Sequence, residues 1–269
     1  MRQLIKHEFM DSLKFNIIGL SICLGGYILY GLVALITMVV NVESNIIVTV
    51  IATSLSMILL GTTIVPIVFF IITIKKSCID KIFNDEGYLT MSLPVTTNKL
   101  IMSKLIVLII WGVAYVIANY IGSLILLLIL NAFSNNPFEV VKSIIENTLF
   151  SGLPSVISIF KLLAYLIKIV LAILLVGSLT NFCRAKKNKT LLSIGIVALI
   201  IFSLSILNTL AGLLPFGLLY TSSGYQFAFG LKYDASYVLN FTQLIIDIVI
   251  VVLMYFINYR IIDKDLELV

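Results

Sequence analysis

Residues Leu100–Leu130 read LIMSKLIVLIIWGVAYVIANYIGSLILLLIL, a stretch in which only Lys104 carries a charge. A segment this long and this apolar crosses a hydrocarbon core about 30 Å thick once it is helical, because roughly 20 residues suffice. A strand of a membrane barrel would be shorter and would alternate polar with apolar side chains. This run does not alternate. Lipid offers no partner to a backbone N–H or C=O, so a helix that bonds to itself is the solution that remains.

Five further runs share this character. They cover Phe15–Val40, Ile46–Ile74, Val156–Phe182, Leu191–Leu219 and Phe241–Tyr259. The second, third and fifth runs of the chain exceed the minimum, which leaves room for tilt or for projection into water. The whole chain of 269 residues is 61% hydrophobic and 12% charged, with a mean hydropathy of +1.16. One soluble core could not hide that much apolar side chain. The sequence therefore predicts an all-α integral membrane protein with six transmembrane helices, forming a single domain over residues 1–269. It shows no internal repeat and no separate soluble domain.

The basic residues give the spans a direction. Arg2, Lys6 and Lys14 precede the first span, and Lys75, Lys76, Lys81, Lys99 and Lys104 surround the second connection. Arg184, Lys186, Lys187 and Lys189 fill the fourth connection, and Arg260 and Lys264 follow the sixth span. The other three connections hold only Lys142 and Lys232. The positive-inside bias predicts that both termini face the cytoplasm. The formal charge of +5 is then an attraction to anionic lipid at the inner surface, and nucleic acid is not an expected partner. The first apolar run is too long for a signal-peptide core and is expected to stay in the protein. Cys23, Cys78 and Cys183 have no metal spacing and read as free thiols.

The connections carry amphipathic patterns. Leu4, Ile5, Phe9, Leu13 and Ile17 recur at helical spacing, with Lys6, Asp11 and Lys14 at other angles. Residues 1–14 are thus expected to form an interfacial lead-in helix. In the loop at 75–99, Ile79, Ile82 and Phe83 could share one face of a short helix, Gly87 permits a turn, and Pro94 stops helical continuation. Between spans three and four, Phe138, Val141, Ile145 and Leu149 oppose Glu139, Lys142 and Glu146. An extracellular amphipathic helix over 137–150 is predicted, opening after Asn136-Pro137. It would cover the mouth of a path or simply cap the bundle. The connection Tyr220–Asn240 is rich in Tyr, Ser, Gly and Phe, and Tyr220, Tyr225, Tyr233 and Tyr237 suit the interfacial belt.

Polar residues inside the spans are the candidates for function. Lys168 falls about 18 Å along the fourth span, near the bilayer middle. Asp247 falls about 10 Å into the sixth, and Lys161 precedes Lys168 by two turns on the same face. A lipid-facing ammonium at that depth costs about 3 kcal/mol or more, so a partner is expected. Either lysine could pair with Asp247. Three readings stay open: an intramembrane gate or path, a bundle salt bridge without a transport role, and snorkelling to the interface. Ala114, Ala118 and Gly122 recur every four residues and allow close helix packing, within the chain or across a dimer. Asn119 and Ser123 could add interhelical hydrogen bonds. Pro66 and Pro215 could kink the second and fifth spans.

Catalytic and metal signatures do not emerge. His7 has no Cys or His at ligand spacing, and no GxxxxGK[ST] sequence exists to hold ATP phosphates. Asp80, Asp85 and Glu86 face no plausible nucleophile. No Ser/Lys, paired-Asp or HExxH pattern points to intramembrane proteolysis.

The stretch FNDEGYLTMSLPVTTNKLIMSKLIVLIIW, Phe83–Trp111, resembles the cytoplasmic loop of bacterial ABC exporter permeases of type 2, in their compact six-helix, type V-like form. The resemblance rests on Asp85, Glu86, Gly87 and Tyr88, then Leu93-Pro94, then Ser103-Lys104. The segment LIKHEFMDSLKF, Leu4–Phe15, is similar to the family's lead-in helix. The resemblance implies an N-in, C-in permease of the bacterial cytoplasmic membrane whose 75–99 loop holds the coupling helix. Phe83, Asp85, Glu86, Gly87, Tyr88 and Leu89 would contact a separate ABC ATP-binding subunit. Two such subunits and a second permease chain, identical or homologous, would complete the assembly. ATP and magnesium would sit in the partner, with no cofactor in this chain and no enzymatic activity of its own. The expected cargo is an antimicrobial or other hydrophobic peptide or drug. The alternatives are an ATP-independent secondary transporter or channel that uses Lys168 and Asp247 for coupling, and a non-transporting scaffold or sensor.

Overall fold

Each apolar run folds largely as a helix, and among the described residues six helices are long and apolar enough to cross a membrane. In the computed structural model they are α1 (Arg2–Val39), α2 (Ile46–Ile74), α3 (Thr97–Leu130), α4 (Leu153–Phe182), α5 (Lys189–Leu213) and α6 (Phe241–Leu266). The structure describes residues 2–39, 46–83, 96–131, 142, 153–183, 189–213, 216–221, 224–229 and 237–266. The predicted 137–150 helix, apart from Lys142, lies outside these residues, as do Pro94, Pro215 and Tyr233.

Two segments differ from expectation. The lead-in at 1–14 is not a separate interfacial helix, because α1 runs unbroken from Arg2 to Val39. Nothing between Lys14 and Phe15 interrupts the backbone ladder: no Gly or Pro lies in Arg2–Ile18. The fifth apolar run does not stay helical to Leu219. It ends at Leu213, and Phe216–Thr221 form a strand. Gly212, Pro215 and Gly217 cluster at this change, and proline cannot donate to a continuing helix. The reading of Pro215 as a kink falls outside the described residues. Pro66, by contrast, is inside α2.

The chain is thus predominantly but not wholly helical. β1 (Phe216–Thr221), β2 (Gly224–Phe229) and β3 (Tyr237–Asn240) form an antiparallel sheet in the order β2-β1-β3. Gly217 lies opposite Ala228, and Tyr220 opposite Tyr225. A register shift separates Leu218 from Leu219 in the pairing with β3. The sheet is tied to the start of α6: the Phe216 N–H donates to Thr242 Oγ1 at 3.1 Å, and the Phe216 and Phe241 rings lie 5.8 Å apart. Asn240 caps α6 by accepting from the Gln243 N–H at 3.3 Å.

Internal contacts gather the chain into two compact units. One comprises Arg2–Thr73 with Ile106–Ser151, and the other comprises Ile74–Leu105 with Gly152–Val269. In the first unit Trp111 Nε1 donates to Ser12 Oγ at 2.9 Å, Tyr115 Oη to Asn16 Oδ1 at 3.0 Å, and Tyr27 Oη to Asn119 Oδ1 at 3.1 Å. Residue numbers rise together along α1 and α3, so these helices run parallel. Thr73 Oγ1 donates to Asn16 Oδ1 at 2.9 Å, while Thr62 lies against Gly26, so α1 and α2 run antiparallel. In the second unit the pairs Lys168–Asp247 and Ser178–Asn258 rise together along α4 and α6. Spans four and six must share a direction if each span crosses in turn, and they do.

Small residues set the closest approaches in the first unit. A side chain at Gly122 would overlap the Tyr27 ring, and one at Gly31 would meet Ile129. Ala118 is buried and Ala114 half-buried on the same stripe. These contacts lie between α1 and α3 of one chain. In the second unit α5 has no buried residue between Leu191 and Leu210. Its large exposed side chains, Leu199 and Phe202 among them, face surroundings that must be apolar.

Candidate functional site

The chemically distinctive site lies among α4, α5 and α6. Lys168 is the sixteenth residue of a 30-residue helix, so it sits at the centre of α4. Its Nζ donates to Asp247 Oδ1 at 2.6 Å, a short charge-assisted bond. The two side chains are 11% and 15% exposed. Lys168 also lies 5.9 Å from the centroid of the Tyr165 ring, one turn earlier on α4. Burial is tolerated because each charge is answered by the other. An isolated ammonium at a helix centre would cost about 3 kcal/mol on insertion scales.

Ten residues further along, the same helix pair is joined by neutral groups. Ser178 Oγ donates to Asn258 Oδ1 at 3.0 Å, and Asn258 Nδ2 donates to Leu171 O at 3.1 Å and to Met254 O at 2.9 Å. Asn258 is fully buried, and all of these donors and acceptors are used. The ion pair therefore occupies one level of a seam whose next level is closed by an amide.

Two clefts open beside the pair. One, of about 650 Å³, lies between α4 and α5 and is walled mainly by Ile169, Ile173, Val197 and Ile201. The other, of about 400 Å³, is lined by Lys161, Lys168, Asn208, Gln243 and Asp247. Tyr165, Lys168 and Asn208 line both. Lys161, Lys168 and Asp247, named from the sequence, are thus brought to one cleft. Lys161 is exposed there and Lys168 makes the close ion pair.

A second arrangement surrounds the base of the 75–99 loop. Helix α2 continues into a π-helical turn, Lys75–Asp80, followed by a helical turn at Lys81–Phe83. Ser77, Cys78 and Ile82 are buried. Lys104 is 2% exposed and donates from Nζ to Ser77 O at 2.7 Å. Ser103, its neighbour in the resembling motif, is also buried and bonds back to Leu100 O at 2.8 Å. On α4, Gly177 lets the side chains of Ile79 and Phe83 approach to 3.1 Å of where its Cβ would be. At the far end of the loop Thr97 Oγ1 donates to Asp263 Oδ1 at 2.8 Å, and Tyr255 bonds Asn98. Both ends of the loop are therefore fastened to α4 or α6. Of the residues assigned to partner contact, Phe83 is described and half-buried against α4. Asp85, Glu86, Gly87, Tyr88 and Leu89 lie outside the described residues.

Several polar residues that join helices had not been singled out. Asn16 is fully buried, accepts from Thr73 and Tyr115, and donates from Nδ2 to Ser12 O at 2.8 Å. Asn258 plays the matching part between α4 and α6. Both sit near the ends of their apolar runs, where an amide reads as interfacial, and only their helical phase could have marked them. Asn119 bonds across to Tyr27, whereas Ser123 Oγ turns back to Tyr120 O at 2.7 Å within α3. Among the described residues no group of three or more His, Cys, Asp or Glu could hold a metal ion. Cys23, Cys78 and Cys183 form no disulfide with one another. Among the described residues the site offers a buried charge pair and, one level along, neutral hydrogen-bonding groups.

No protein-family model, no curated protein and no solved structure matches this chain. The described residues define a multi-pass membrane protein with six helices able to span a membrane and a buried ion pair.

Proposed function

We propose that this chain is the permease subunit of an ATP-driven ABC exporter of type 2, with a separate subunit supplying ATP hydrolysis. The observation that carries the reading is the fastening of the 75–99 loop. Lys104 holds the π-helical turn through Ser77, Phe83 and Ile79 press on Gly177, and Thr97 is tied to Asp263. A loop held this way passes a push from a soluble partner into α4 and α6 instead of absorbing it. The acidic-glycine-aromatic group Asp85–Tyr88 then forms the contact with the ATP-binding subunit, and two permeases work with two of these subunits. Both termini lie in the cytoplasm of a bacterial cell. The cargo is an amphipathic or hydrophobic peptide or drug, since the clefts beside α4 are mainly apolar.

The test is purification from native membranes in mild detergent, followed by ATPase measurement on the recovered complex. An ATP-binding subunit should co-purify, and its turnover should respond to hydrophobic peptide. Glu86→Ala or Tyr88→Ala should abolish the response while leaving the permease in the membrane, and Gly177→Ile should weaken it by displacing Phe83. Recovery of the intact permease with no ATP-binding protein would overturn the proposal. The ion pair also favours a second reading, an ion-coupled transporter without ATP. In that case cargo flux in vesicles would follow an imposed ion or proton gradient and vanish in the Lys168→Met/Asp247→Leu double variant.

A further inference from the structure

The sheet between α5 and α6 carries phenylalanines on one face. Phe216 on β1 lies opposite Phe229 on β2, and Phe227 is two residues from Phe229, so the three share one side of the pleat. Gln226 and Ala228 occupy the other side. The aromatic side is the one turned to α6. The Phe216 and Phe227 rings lie 5.8 and 6.3 Å from the ring of Phe241, the first residue of that helix. The Phe216 and Phe229 rings are 6.2 Å apart. Contact with Phe241 does not cover this face: Phe216 is 44% exposed, and Phe227 and Phe229 are each 71% exposed. Exposed apolar side chains grouped on one face mark a surface that meets a partner or a membrane.

We propose that the β1–β2 hairpin is an interfacial membrane anchor, with Phe216, Phe227 and Phe229 seated among the upper acyl chains of the leaflet in which α6 begins. The occupant follows from what this face adjoins. Phe241 heads a stripe on α6 in which Ile245, Ile248, Val252 and Phe256 follow at helical spacing, each more than half exposed. On a membrane-spanning helix such a stripe faces acyl chains. The Phe216 and Phe227 rings prolong it onto the sheet. The sheet also cannot leave the level of the membrane surface. Helix α5 ends at Leu213, three residues before β1, and β3 ends at Asn240, directly before α6. Three Cα steps span at most about 11 Å. The bond from the Phe216 N–H to Thr242 Oγ1 ties the hairpin to the first turn of the span. Rings held there, on the side that faces the span, meet the boundary between headgroups and chains, where phenylalanine on an amphipathic element inserts. This inference does not depend on the ATP-driven reading and would hold for a transporter of either kind or for a scaffold.

The experiment uses the full chain reconstituted in phosphatidylcholine vesicles whose acyl chains carry bromine either near the headgroup or near the chain end. Trp111 is the single tryptophan, so its emission is recorded from the unsubstituted protein and subtracted. Phe227→Trp and Phe229→Trp place reporters on the aromatic face, and Gln226→Trp places one on the opposite face. Leu199→Trp, at an exposed position in the middle of α5, serves as the depth standard. The 227 and 229 reporters should emit to the blue of tryptophan in water. They should lose more intensity to the shallow bromines than to the deep ones, as expected about 5–10 Å into the headgroup boundary. The 199 reporter should show the reverse order, and aqueous iodide should quench the 226 reporter more than those at 227 and 229. Each variant is compared at equal monodispersity, and either reporter on the aromatic face can stand in for the other. Iodide quenching at 227 and 229 as strong as at 226 would overturn the anchor, because the face would lie in water. Blue-shifted emission that neither bromine nor iodide reaches would overturn it too, in favour of a second copy or another protein covering the face. Stronger quenching by the deep bromines would overturn the interfacial placement.

Discussion

In the unit of α1, α2 and the body of α3, neutral groups supply several of the joins between helices. Asn16 gathers Thr73 and Tyr115, Trp111 reaches Ser12, and Tyr27 reaches Asn119. Aromatic stacking of Phe9 on Trp111 and of Phe15 on Phe69, with centroids 5.1 and 4.9 Å apart, fills the space between these bonds. In the unit of α4, α5 and α6, an ion pair replaces the amide at the central level, and two clefts lie beside it. The difference is one of purpose that physics can state. Neutral hydrogen bonds between helices in lipid are worth about 0.6 kcal/mol each, and they work with tight packing to fix a structure. A buried ion pair has a large desolvation cost to offset, so it is weak evidence for stability and stronger evidence for a role that needs charge.

That contrast can be broken most forcefully at Gly122. Gly122→Leu places a branched side chain on the Tyr27 ring and should destabilise the α1–α3 packing by about 3 kcal/mol. Thermal unfolding of the purified protein in mild detergent checks this, and an unchanged midpoint would show that α1 and α3 are not in contact there. Asp247→Asn should cost about 2 kcal/mol, because Lys168 keeps its charge at the centre of α4 without a carboxylate. The adjoining cleft gives that charge some access to water, which holds the loss to the lower part of the range. The double variant Lys168→Met/Asp247→Leu should recover most of the stability and, under the ion-coupled reading proposed above, none of the transport. Recovery of both would reduce the pair to a packing element. Equal losses of transport and protein abundance in Asp247→Asn would do the same.

The smallest effects sharpen the comparison. Asn16→Leu and Asn258→Leu should each cost about 1 kcal/mol, since each amide joins two helices at a fully buried position. Parallel unfolding curves for the two variants measure this. A loss at Asn16 larger than that at Asp247 would reverse the order of importance between the neutral and charged seams.

Much of the fold was legible because one property, apolar length, decides it. Ile46–Ile74 matches the predicted span residue for residue. The others differ at their ends, where polar residues can extend a helix into the interface without any change in hydropathy. The sheet escaped notice because Leu213–Leu219 continues the apolar run of α5, and a short apolar stretch does not declare its period. The signal that could have found it is the pairing of aromatic residues across Ser222-Ser223-Gly224, with Pro215 ahead of it. At the site, Lys168 and Asp247 stood out because charge within an apolar run is expensive. Asn16 and Asn258 did not, because an amide near a span end is cheap until a neighbouring helix buries it.

The amino-acid sequence by itself determined that this chain has six apolar helices able to cross a membrane, since burial of twenty or so apolar residues in lipid is a local, additive property. Only the tertiary structure decided which polar groups meet. It placed Lys168 against Asp247, Lys104 on the Ser77 carbonyl and Phe83 beside Gly177. Such meetings depend on the rotation and depth of one helix relative to another, and hydropathy carries no record of either.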